Sequence, residues 1–403
     1  MGRQSRAVGT GVRAGVELSR LKVAIAVHGR YHAFDLARGL FERGSLAQVA
    51  TTYPRFAARR FLPPGVRLKS AARFEAWRRL ASRFPFVPRA DPGVSIRFGR
   101  FAARSLPYDA NLLVGWSSAT KEAIEPARSR GMKICLERGS AHILHQVRVL
   151  RESAERNGLP PPDTPPEIID RELWEYAHVD AIAVPTRFAA ATFIAEGIPG
   201  EKLIINPYGT DPDAFEPLSA PRVGRCRILF AGSIGLRKGI PDLLQAFDRM
   251  TPDAELHLAG PVEPGIRELI GAHDRSRVIV HGPLSFSSLR DLYRDSTLLC
   301  LPSIEEGFGM VLLEAMASGL PVVTTDVTGG SELVRDGEDG FLVPPGDPDR
   351  LADALSKLAA DPDRAWEMGC QARCRIESSF RWSHYVDRAV NAYERLLSGL
   401  PHD

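Results

Sequence analysis

Short apolar runs recur along the whole chain, and a segment with helical spacing follows most of them. Nearly continuous apolar runs of this length are typical of parallel strands that helices cover on both faces. Twelve runs are predicted to be strands: 22–27, 46–52, 110–115, 132–137, 180–185, 203–206, 227–232, 255–260, 277–282, 297–302, 321–325 and 340–344. Their alternation with helices predicts an α/β protein with two Rossmann-like, doubly wound domains.

Two of the intervening helices carry boundary signals. The segment FDLARGLFERG ends at Gly44, and TRFAAATFIAEG begins at Thr186 and ends at Gly197. A threonine hydroxyl caps the unpaired N–H groups of a helix start, and glycine readily adopts the left-handed conformation that follows a last turn. We therefore expect helices over 34–44 and 186–197.

Chain length and the order of the runs predict the domain boundaries. A chain of 403 residues is long enough for two domains of about 200 residues each. The stretch 206–217 is rich in proline, glycine and aspartate, so it is the expected hinge. We expect a disordered basic leader at 1–20, an N-terminal domain at 21–205 and a C-terminal domain at 206–383, with the helix 384–403 packing back on the first domain.

Composition excludes several classes of protein. The formal net charge is only +3, which gives no reason to expect nucleic acid as a partner. No apolar run reaches the length of a bilayer crossing. The five cysteines are odd in number and widely spaced, which fits a reducing compartment better than a disulfide framework. The sequence therefore predicts a cytoplasmic protein.

One region departs from the regular alternation. Between Arg55 and Arg104 there are thirteen lysines and arginines but only two acids. Within it, residues 70–84 have helical spacing, and one face of that helix carries Phe74, Trp77, Leu80, Ala81 and Phe84. Such a basic amphipathic helix either docks on its own domain or lies on the inner face of an anionic membrane. Both interpretations stay open.

The segment EEGFGMVLLE has the pattern of an anion site. Gly307 and Gly309 allow close approach of the backbone just before a helix predicted over 310–318. The first N–H groups of that helix, from Met310 to Leu312, have no partner within it and lie at the positive end of its dipole. They are expected to bind a phosphate or a diphosphate.

Two carboxylates stand on either side of this anion site. Glu314 lies one turn into the helix, where a carboxylate accepts hydrogen bonds from a vicinal diol such as ribose. Glu306 precedes the turn and faces whatever group the phosphates carry. The order of diol, diphosphate and a further hydroxyl-bearing group predicts a nucleotide sugar.

The same segment resembles the E-x7-E signature of glycosyltransferase family 4, with Glu306 and Glu314 as its two acids and an internal G-F-G. The resemblance extends over nearly the whole chain from residue 21. Its other segments are AGSIGLRKGIPDLLQAF (231–247), LAGP (258–261), the stretch 321–355, FRWSHYVDRAVNAYERL (380–396) and HAFDLARGLFERG (32–44).

This resemblance implies a GT-B fold, with a central cleft between the two domains, and retaining transfer without a metal or another cofactor. It implies that Glu306 contacts the hydroxyls of the donor sugar and that Glu314 contacts the ribose. Sugar and diphosphate would be held by the backbone of Gly307, Phe308, Gly309, Met310, Val311 and Leu312.

The resemblance also implies which positively charged residues bind the diphosphate. Lys238 would bind it and stabilise the leaving group. Ser233 stands where the family often has arginine, and Arg237 is the candidate replacement. Gly29 would lie in the loop before the first helix, beside the donor.

The loop RGSAHILHQ (138–146) follows a predicted strand, at the end where ligands bind in parallel sheets. Family members often carry a histidine in this loop that touches the donor sugar. His142 is the expected residue and His145 the alternative, while Arg138 is a candidate second cation. His281, at the end of another strand, is a candidate near the nucleobase.

The combined prediction is a hexosyltransferase type of enzyme. It would move a sugar from a nucleoside-diphosphate sugar to an acceptor hydroxyl, with a lipid-linked or glycan acceptor in polysaccharide or glycolipid synthesis. Two alternatives stay open, a sugar-nucleotide epimerase of the same fold and a non-catalytic protein that binds sugar nucleotides.

Overall fold

The computed structural model describes residues 20–74, 76, 93–217, 219–251, 253–273 and 276–400. Residues 1–19 of the expected leader and most of the amphipathic segment 70–84 lie outside the described residues.

Two parallel sheets organise the molecule. The first has seven strands in the order β3-β2-β1-β4-β5-β6-β7, and the second has six in the order β10-β9-β8-β11-β12-β13. The first sheet consists of β1 Val23–Val27, β2 Leu46–Thr51, β3 Leu68–Ser70, β4 Leu112–Trp116, β5 Lys133–Glu137, β6 Ala181–Val184 and β7 Leu203–Ile205. The second consists of β8 Cys226–Ala231, β9 Ala254–Ala259, β10 Val278–Gly282, β11 Leu298–Leu301, β12 Val322–Thr325 and β13 Gly340–Val343.

Helices alternate with the strands in both halves. Those of the first half are α1 Ala33–Glu42, α2 Arg55–Ala58, α3 Gly93–Ser105, α4 Lys121–Arg128, α5 Ile143–Arg156, α6 Pro166–His178 and α7 Arg187–Ala195. Those that follow are α8 Ile240–Asp248, α9 Ile266–Gly271, α10 Phe286–Arg294, α11 Met310–Ala317, α12 Gly330–Leu333, α13 Pro348–Ala360, α14 Pro362–Ser379 and α15 Trp382–Ser398. Short 3₁₀ turns occupy Gly200–Lys202, Pro212–Ala214 and Leu236–Lys238.

The predicted α/β fold with two doubly wound sheets is confirmed, and each of the twelve predicted strands is present. The strand that the pattern missed is β3, which has only three residues and pairs at the sheet edge. The threonine cap is also confirmed, because the Thr186 side chain accepts a hydrogen bond from the N–H of Ala189 at 3.0 Å. Gly197, just past the end of that helix, has a φ of 87°.

The last helix packs against the first half of the molecule. Helix α15 lies against α1, and the side chain of Asn206 donates to the carbonyl of Tyr385 at 3.2 Å. The Tyr385 hydroxyl reaches the carboxylate of Glu137 at the end of β5, at 3.4 Å. The chain thus crosses to the second sheet and returns, so that residues far apart in sequence meet beneath the cleft.

Among the residues that the structure describes, none of the helices combines the length and the hydrophobicity that a membrane crossing requires.

Candidate active site

A cavity of about 710 Å³ lies between the two halves. In each sheet it adjoins the carboxyl ends of the two strands at which the strand order reverses, β1 with β4 and β8 with β11. Doubly wound sheets bind their ligands at these switch points because the loops there diverge and leave a crevice. The side chains that line it come from His28, Arg30, Tyr31, His32, Asp35, Trp116, Ser117, Ser118, Arg138, Ser140, Gln146, Glu172, Tyr208, Arg237, Glu306, Phe308, Met310, Glu314 and Trp382.

The C-terminal wall of the cavity is built around the start of α11. Gly309 precedes the helix with a φ of 81°, a left-handed conformation that favours glycine. Met310 lines the cavity, as predicted, whereas the side chain of Leu312 is fully buried in the core. The N–H of Leu312 already donates to the carbonyl of Gly309 at 2.9 Å. This corrects the expectation that Leu312 offers a free N–H group, and it leaves the N–H groups of Met310 and Val311 as the candidates for the predicted anion site.

Gly307 and Phe308 join the two halves of the molecule. A side chain at Gly307 would collide with the carbonyl of Gly139, so only glycine allows this close approach. Phe308 is buried and packs against Tyr208 at a ring distance of 5.1 Å. Of these two residues predicted to bind the donor, Gly307 thus packs against the N-terminal loop at Gly139, and Phe308 packs against the connecting segment at Tyr208.

Two cations and a carboxylate cluster at the entrance to this anion site. Lys238 forms an ion pair with Glu306, and the guanidinium of Arg237 lies 3.8 Å from the same carboxylate. Burial and the neighbouring Arg237 lower the pKa of Lys238 to about 8. The structure thus brings the three predicted residues together, with both cations beside the carboxylate of Glu306.

Glu314 lies on the same wall. Its carboxylate accepts a hydrogen bond at 2.9 Å from the hydroxyl of Tyr293, a fully buried residue of α10. Burial raises the pKa of Glu314 above its usual range, and the hydrogen bond opposes that rise. Tyr293 fixes the orientation of the carboxylate, and the sequence offered no signal for it because the two residues are 21 positions apart.

Glu305 is a functional candidate that the sequence interpretation missed. Its fully buried carboxylate accepts from Ser140 Oγ at 2.7 Å, the Ala141 N–H at 3.1 Å, Gln146 Nε2 at 2.7 Å and Arg237 Nε at 2.9 Å. Burial alone would raise the pKa of Glu305, but Arg237 and the other donors lower it to about 2. Glu305 therefore stays charged and ties the N-terminal loop to the arginine of the opposite wall.

Arg138 lines the N-terminal wall, as predicted for the second cation. It forms an ion pair with Glu172 at 3.1 Å and donates to Gln146 at 3.2 Å. Burial alone would lower the pKa of Arg138, but Glu172 raises it above the usual value. The guanidinium is permanently charged and held in place by its own half of the molecule.

The position of His142 differs from the prediction. Its Nδ1 accepts from the N–H of Leu144 at 3.3 Å and caps α5, and its ring packs between Tyr176 and Phe193. Burial lowers the pKa of His142 to about 4, which keeps the ring neutral. His142 is 2% exposed and does not line the cavity, so it supports the fold instead of meeting the donor.

The alternative residue His145 is also placed elsewhere. Its ring lies against Phe188, and its Nδ1 is 3.1 Å from the guanidinium of Arg148. Neither histidine of this loop reaches the cavity, because α5 begins immediately after His142 and turns both side chains toward α7.

Three further predicted residues are not part of the cavity lining. Ser233 donates to Glu263 at 2.8 Å, and His281 is hydrogen bonded to His257 at 3.0 Å at the sheet edge. Gly29 has a φ of 124°, and its carbonyl accepts from Thr51 at 2.5 Å. Gly29 shapes the first loop, whose neighbouring side chains do line the cavity.

That first loop and the loop after β4 supply several side chains of the N-terminal wall, and the sequence interpretation assigned them no side chains. Tyr31 and Ser118 have φ values of 41° and 64°, and both line the cavity. They are the two non-glycine residues with positive φ within the described ranges. Strained backbone of this kind persists where the surroundings impose it, and it concentrates at functional sites.

Within the part of the chain that the structure describes, no group of three or more histidine, cysteine, aspartate or glutamate side chains is arranged to hold a metal ion.

Comparisons with known proteins identify the family. A family model described as "Glycosyl transferases group 1" matches residues 225–361. The D-inositol 3-phosphate glycosyltransferase of Paenarthrobacter aurescens is 31% identical over 285 residues, which cover 64% of this chain and 67% of that protein.

Solved structures show the same fold. The sucrose-phosphate synthase of Thermosynechococcus elongatus superposes with a TM-score of 0.72 at 21% identity, over 94% of this chain and all of the other. The Anabaena protein HepE, solved in complex with UDP, superposes with a TM-score of 0.66 at 16% identity over the same shares. The protein therefore belongs to the group 1 family of glycosyl transferases, related to glycosyltransferase family 4, and is a GT-B glycosyltransferase that uses nucleotide-sugar donors.

Proposed function

We propose that the protein transfers a sugar from a nucleoside-diphosphate sugar to an acceptor hydroxyl with retention of the anomeric configuration and without a metal ion. The observation that carries this proposal is the cluster of Lys238, Arg237 and Glu306 beside the N-terminus of α11, in which Arg237 and Glu306 line the cavity between the two sheets.

The cluster has the charges that a departing diphosphate requires. The diphosphate takes the place of the Glu306 carboxylate beside Lys238 and Arg237, and the first N–H groups of α11 complete its surroundings. Fixed cations aimed at developing negative charge lower the barrier to departure of the leaving group. Since two cations and a helix start serve this purpose, the proposed transfer needs no metal.

Displacement by the diphosphate frees Glu306 for the donor sugar. A carboxylate that has lost its ion pairs gains by accepting hydrogen bonds from the sugar hydroxyls. Glu314, fixed by Tyr293, takes the ribose diol in the same way. The acceptor attacks from the face that the diphosphate leaves, through a short-lived oxocarbenium ion pair.

The acceptor occupies the N-terminal wall. This wall presents cations, carboxylates and aromatic rings together, among them Arg30, Asp35, Trp116, Arg138 and Glu172. Such a mixture suits a polar compound with several hydroxyl groups, and the relative from Paenarthrobacter is named for D-inositol 3-phosphate. A polyol phosphate is therefore the first free acceptor to test.

A basic surface on the same half supports a lipid-linked acceptor as well. Arg73, Arg97, Arg100 and Arg104 surround a cavity of about 390 Å³ together with Phe74 and Phe101. Each basic residue near an anionic membrane contributes about 1 kcal/mol to its binding. We propose that this surface holds the enzyme against an anionic bilayer at its acceptor side.

The test of the transfer is a panel of nucleotide sugars incubated with polyol phosphates and with lipid-linked sugars. We expect the product to have the donor's anomeric configuration, as measured by its NMR coupling constant. We also expect EDTA to leave the rate of transfer unchanged. An inverted product, or loss of activity with EDTA, would contradict the proposed mechanism. Conversion of the donor to its 2-epimer without acceptor would support the alternative of an epimerase.

Membrane binding is tested by co-sedimentation with vesicles containing about 30% anionic lipid. We expect binding at low salt that weakens on adding salt, and weaker binding by Arg100→Gln/Arg104→Gln. Equal sedimentation with neutral and anionic vesicles would contradict the proposed role of this surface.

A further inference from the structure

Tyr31 presents an exposed aromatic ring to the cavity. It lies in the loop after β1, lines the N-terminal wall and is 55% exposed. Four other tyrosines are fully buried in the core, namely Tyr176, Tyr293, Tyr385 and Tyr393. The ring of Tyr31 is instead kept out of the core, at a place where a ligand has access to it.

The backbone of Tyr31 is strained. Its φ is 41°, in the left-handed region that bulky side chains rarely adopt. Glycine would adopt this conformation without a steric penalty. A tyrosine at such a position lowers the stability of the fold, so its presence indicates that the side chain has a function.

The loop itself sets the orientation of the ring. The ring of His28 meets that of Tyr31 edge-on, with 5.6 Å between the centroids. At Gly29 an added Cβ would lie 3.2 Å from Cε2 of Tyr31, so the absence of a side chain there makes room for the ring. Tyr31 is therefore oriented before a ligand arrives, which reduces the entropy lost on binding.

Charged groups lie around the same part of the cavity. Arg30 and Asp35 both line it, and the guanidinium of Arg30 lies over the ring of Phe61 at 4.2 Å. A ligand that fits beside them needs hydroxyl groups for the charged side chains and an apolar face for Tyr31. Pyranoses and cyclitols have both, because the hydroxyls of a six-membered polyol ring lie around its rim and its C–H groups form the faces.

Stacking on an aromatic ring suits such a face. The faces of an aromatic ring carry partial negative charge, which attracts the weakly positive C–H groups of a polyol ring. The contact also withdraws those C–H groups from water. An open-chain polyol has the same hydroxyl groups but no fixed face, so it loses more conformational freedom when it makes the contact.

We propose that Tyr31 is the stacking platform for the acceptor and that it selects six-membered polyol rings over open-chain polyols. This inference rests on the proposed function, since the ring that Tyr31 binds is the acceptor of the transfer. Tyr31 takes no part in the chemical step and binds the acceptor equally before and during transfer. Its loss is therefore expected to raise KM for the acceptor and to leave kcat unchanged.

The test compares Tyr31→Ala with the parent at a saturating concentration of donor. Three acceptors of equal charge are used: a myo-inositol phosphate as the cyclitol, glucose 6-phosphate as the pyranose and sorbitol 6-phosphate as the open chain. For each ring acceptor that the enzyme uses, we expect KM to rise about tenfold, the effect of returning about two CH₂-sized groups to water. We expect kcat, and KM for sorbitol 6-phosphate, to stay within about twofold of the parent.

Two further variants separate the ring from the strain. Tyr31→Phe keeps the stacking face and is expected to keep the parent's KM. Tyr31→Gly loses the ring but relieves the strained backbone, so we expect it to lose acceptor affinity as Tyr31→Ala does and to have a higher Tm than Tyr31→Ala. If the tyrosine were only structural, KM would follow Tm and the glycine variant would recover the parent's KM.

The matched control is Tyr108→Ala. Tyr108 is 94% exposed and stacks near the guanidinium of Arg130 at 5.0 Å, but it is not part of the cavity lining. Its variant is expected to keep the parent's KM for each acceptor. The Tm and the Kd for the nucleotide sugar show whether each variant is folded and binds its donor.

Calorimetry with the same three acceptors, in the presence of nucleoside diphosphate, separates this inference from the proposed function. If the parent transfers sugar but Tyr31→Ala has an unchanged KM for the ring acceptors, or loses ring and open-chain acceptors equally, Tyr31 is not a stacking platform. If the parent transfers no sugar but binds a ring compound more tightly than Tyr31→Ala does, the proposed function fails and the stacking site stands. A parent that neither binds nor uses a ring compound would overturn the selection of ring acceptors.

Discussion

The two walls of the cavity are built in different ways. The C-terminal wall draws its lining from Arg237 and from the short segment 306–314, each in a loop or helix start that follows a strand of the same sheet. The N-terminal wall gathers side chains from loops after three strands, from α6, from the connecting segment and from α15, a span from His28 to Trp382. The first wall is a local motif, whereas the second exists only after the chain has folded back on itself.

The difference matches the roles that we propose for the two walls. A diphosphate is recognised by groups that a loop and a helix start always provide, namely backbone N–H groups and a few cations. An acceptor with several hydroxyl groups needs donors and acceptors at several separate points. The following predictions test whether the two walls differ in function as they differ in construction. They are given in order of decreasing expected effect.

Replacing Glu306 with alanine tests the C-terminal wall most severely. The change removes the proposed partner of the sugar hydroxyls and leaves Lys238 without its counter-ion. We expect kcat to fall by about 1,000-fold, similar to the loss of a group that stabilises the transition state. Steady-state kinetics with a fixed donor measure it, and equal turnover by folded variant and parent would show that Glu306 has another role.

Titration of Lys238 tests the same wall through pH. Because its pKa of about 8 lies below the ordinary lysine value, the charged form is present below pH 8 and is lost as the pH rises through that value. The Kd for nucleoside diphosphate is therefore expected to increase about tenfold per pH unit above 8. Calorimetry between pH 6.5 and 9.5 measures this change.

The control for that titration is Lys238→Met, which cannot carry the charge. It is expected to bind more weakly at pH 7 and to show a flat Kd across the same interval. A variant with the parent's pH dependence would assign the titration to another group.

Replacing Glu305 with glutamine tests the connection between the walls. Glu305 stays charged down to a pH of about 2, so its contacts hold at any pH used for assays. Charge-assisted hydrogen bonds contribute about 1.5–3 kcal/mol, so their weakening favours separation of the halves. We expect about a tenfold loss in kcat/KM and a larger radius of gyration by small-angle scattering. An unchanged radius of gyration would show that Glu305 orients Arg237 but does not hold the two halves together.

Replacing His142 with alanine is the mildest test, and it concerns the fold of the N-terminal wall. The variant loses a helix cap, which costs about 1 kcal/mol, and also the ring that packs on Tyr176. We expect a lower free energy of unfolding with kcat/KM within twofold of the parent. A large loss of activity at unchanged stability would restore His142 to the active site.

The two histidines show where prediction from sequence ends. His142 follows a strand, in a loop where the resemblance to the family implied a histidine that touches the donor sugar, so its position in the chain suggested a role in the cavity. The structure turns it into the core because its ring nitrogen caps α5. His32 lines the cavity instead, with its Nε2 3.3 Å from the carboxylate of Glu137. It gave no such signal, since Glu137 is 105 positions away and Tyr385, which reaches Glu137, is near the end of the chain.

Glu305 and Glu306 make the same point at adjacent positions. The motif identifies Glu306, because its spacing to Glu314 follows from one loop and one helix turn. The role of Glu305 depends on Ser140 and Gln146, which reach it only when the two sheets approach.

The sequence by itself determined the two sheets, the end signals of two helices and the motif of the predicted anion site. Each of these depends on hydrophobic periodicity or on groups within one loop and one helix turn, which are short-range properties of the chain. Only the tertiary structure decided which histidine faces the cavity, which carboxylate joins the halves and which side chains the N-terminal wall presents. Those outcomes depend on contacts between distant residues, and their energies come from burial and pairing that no local pattern records.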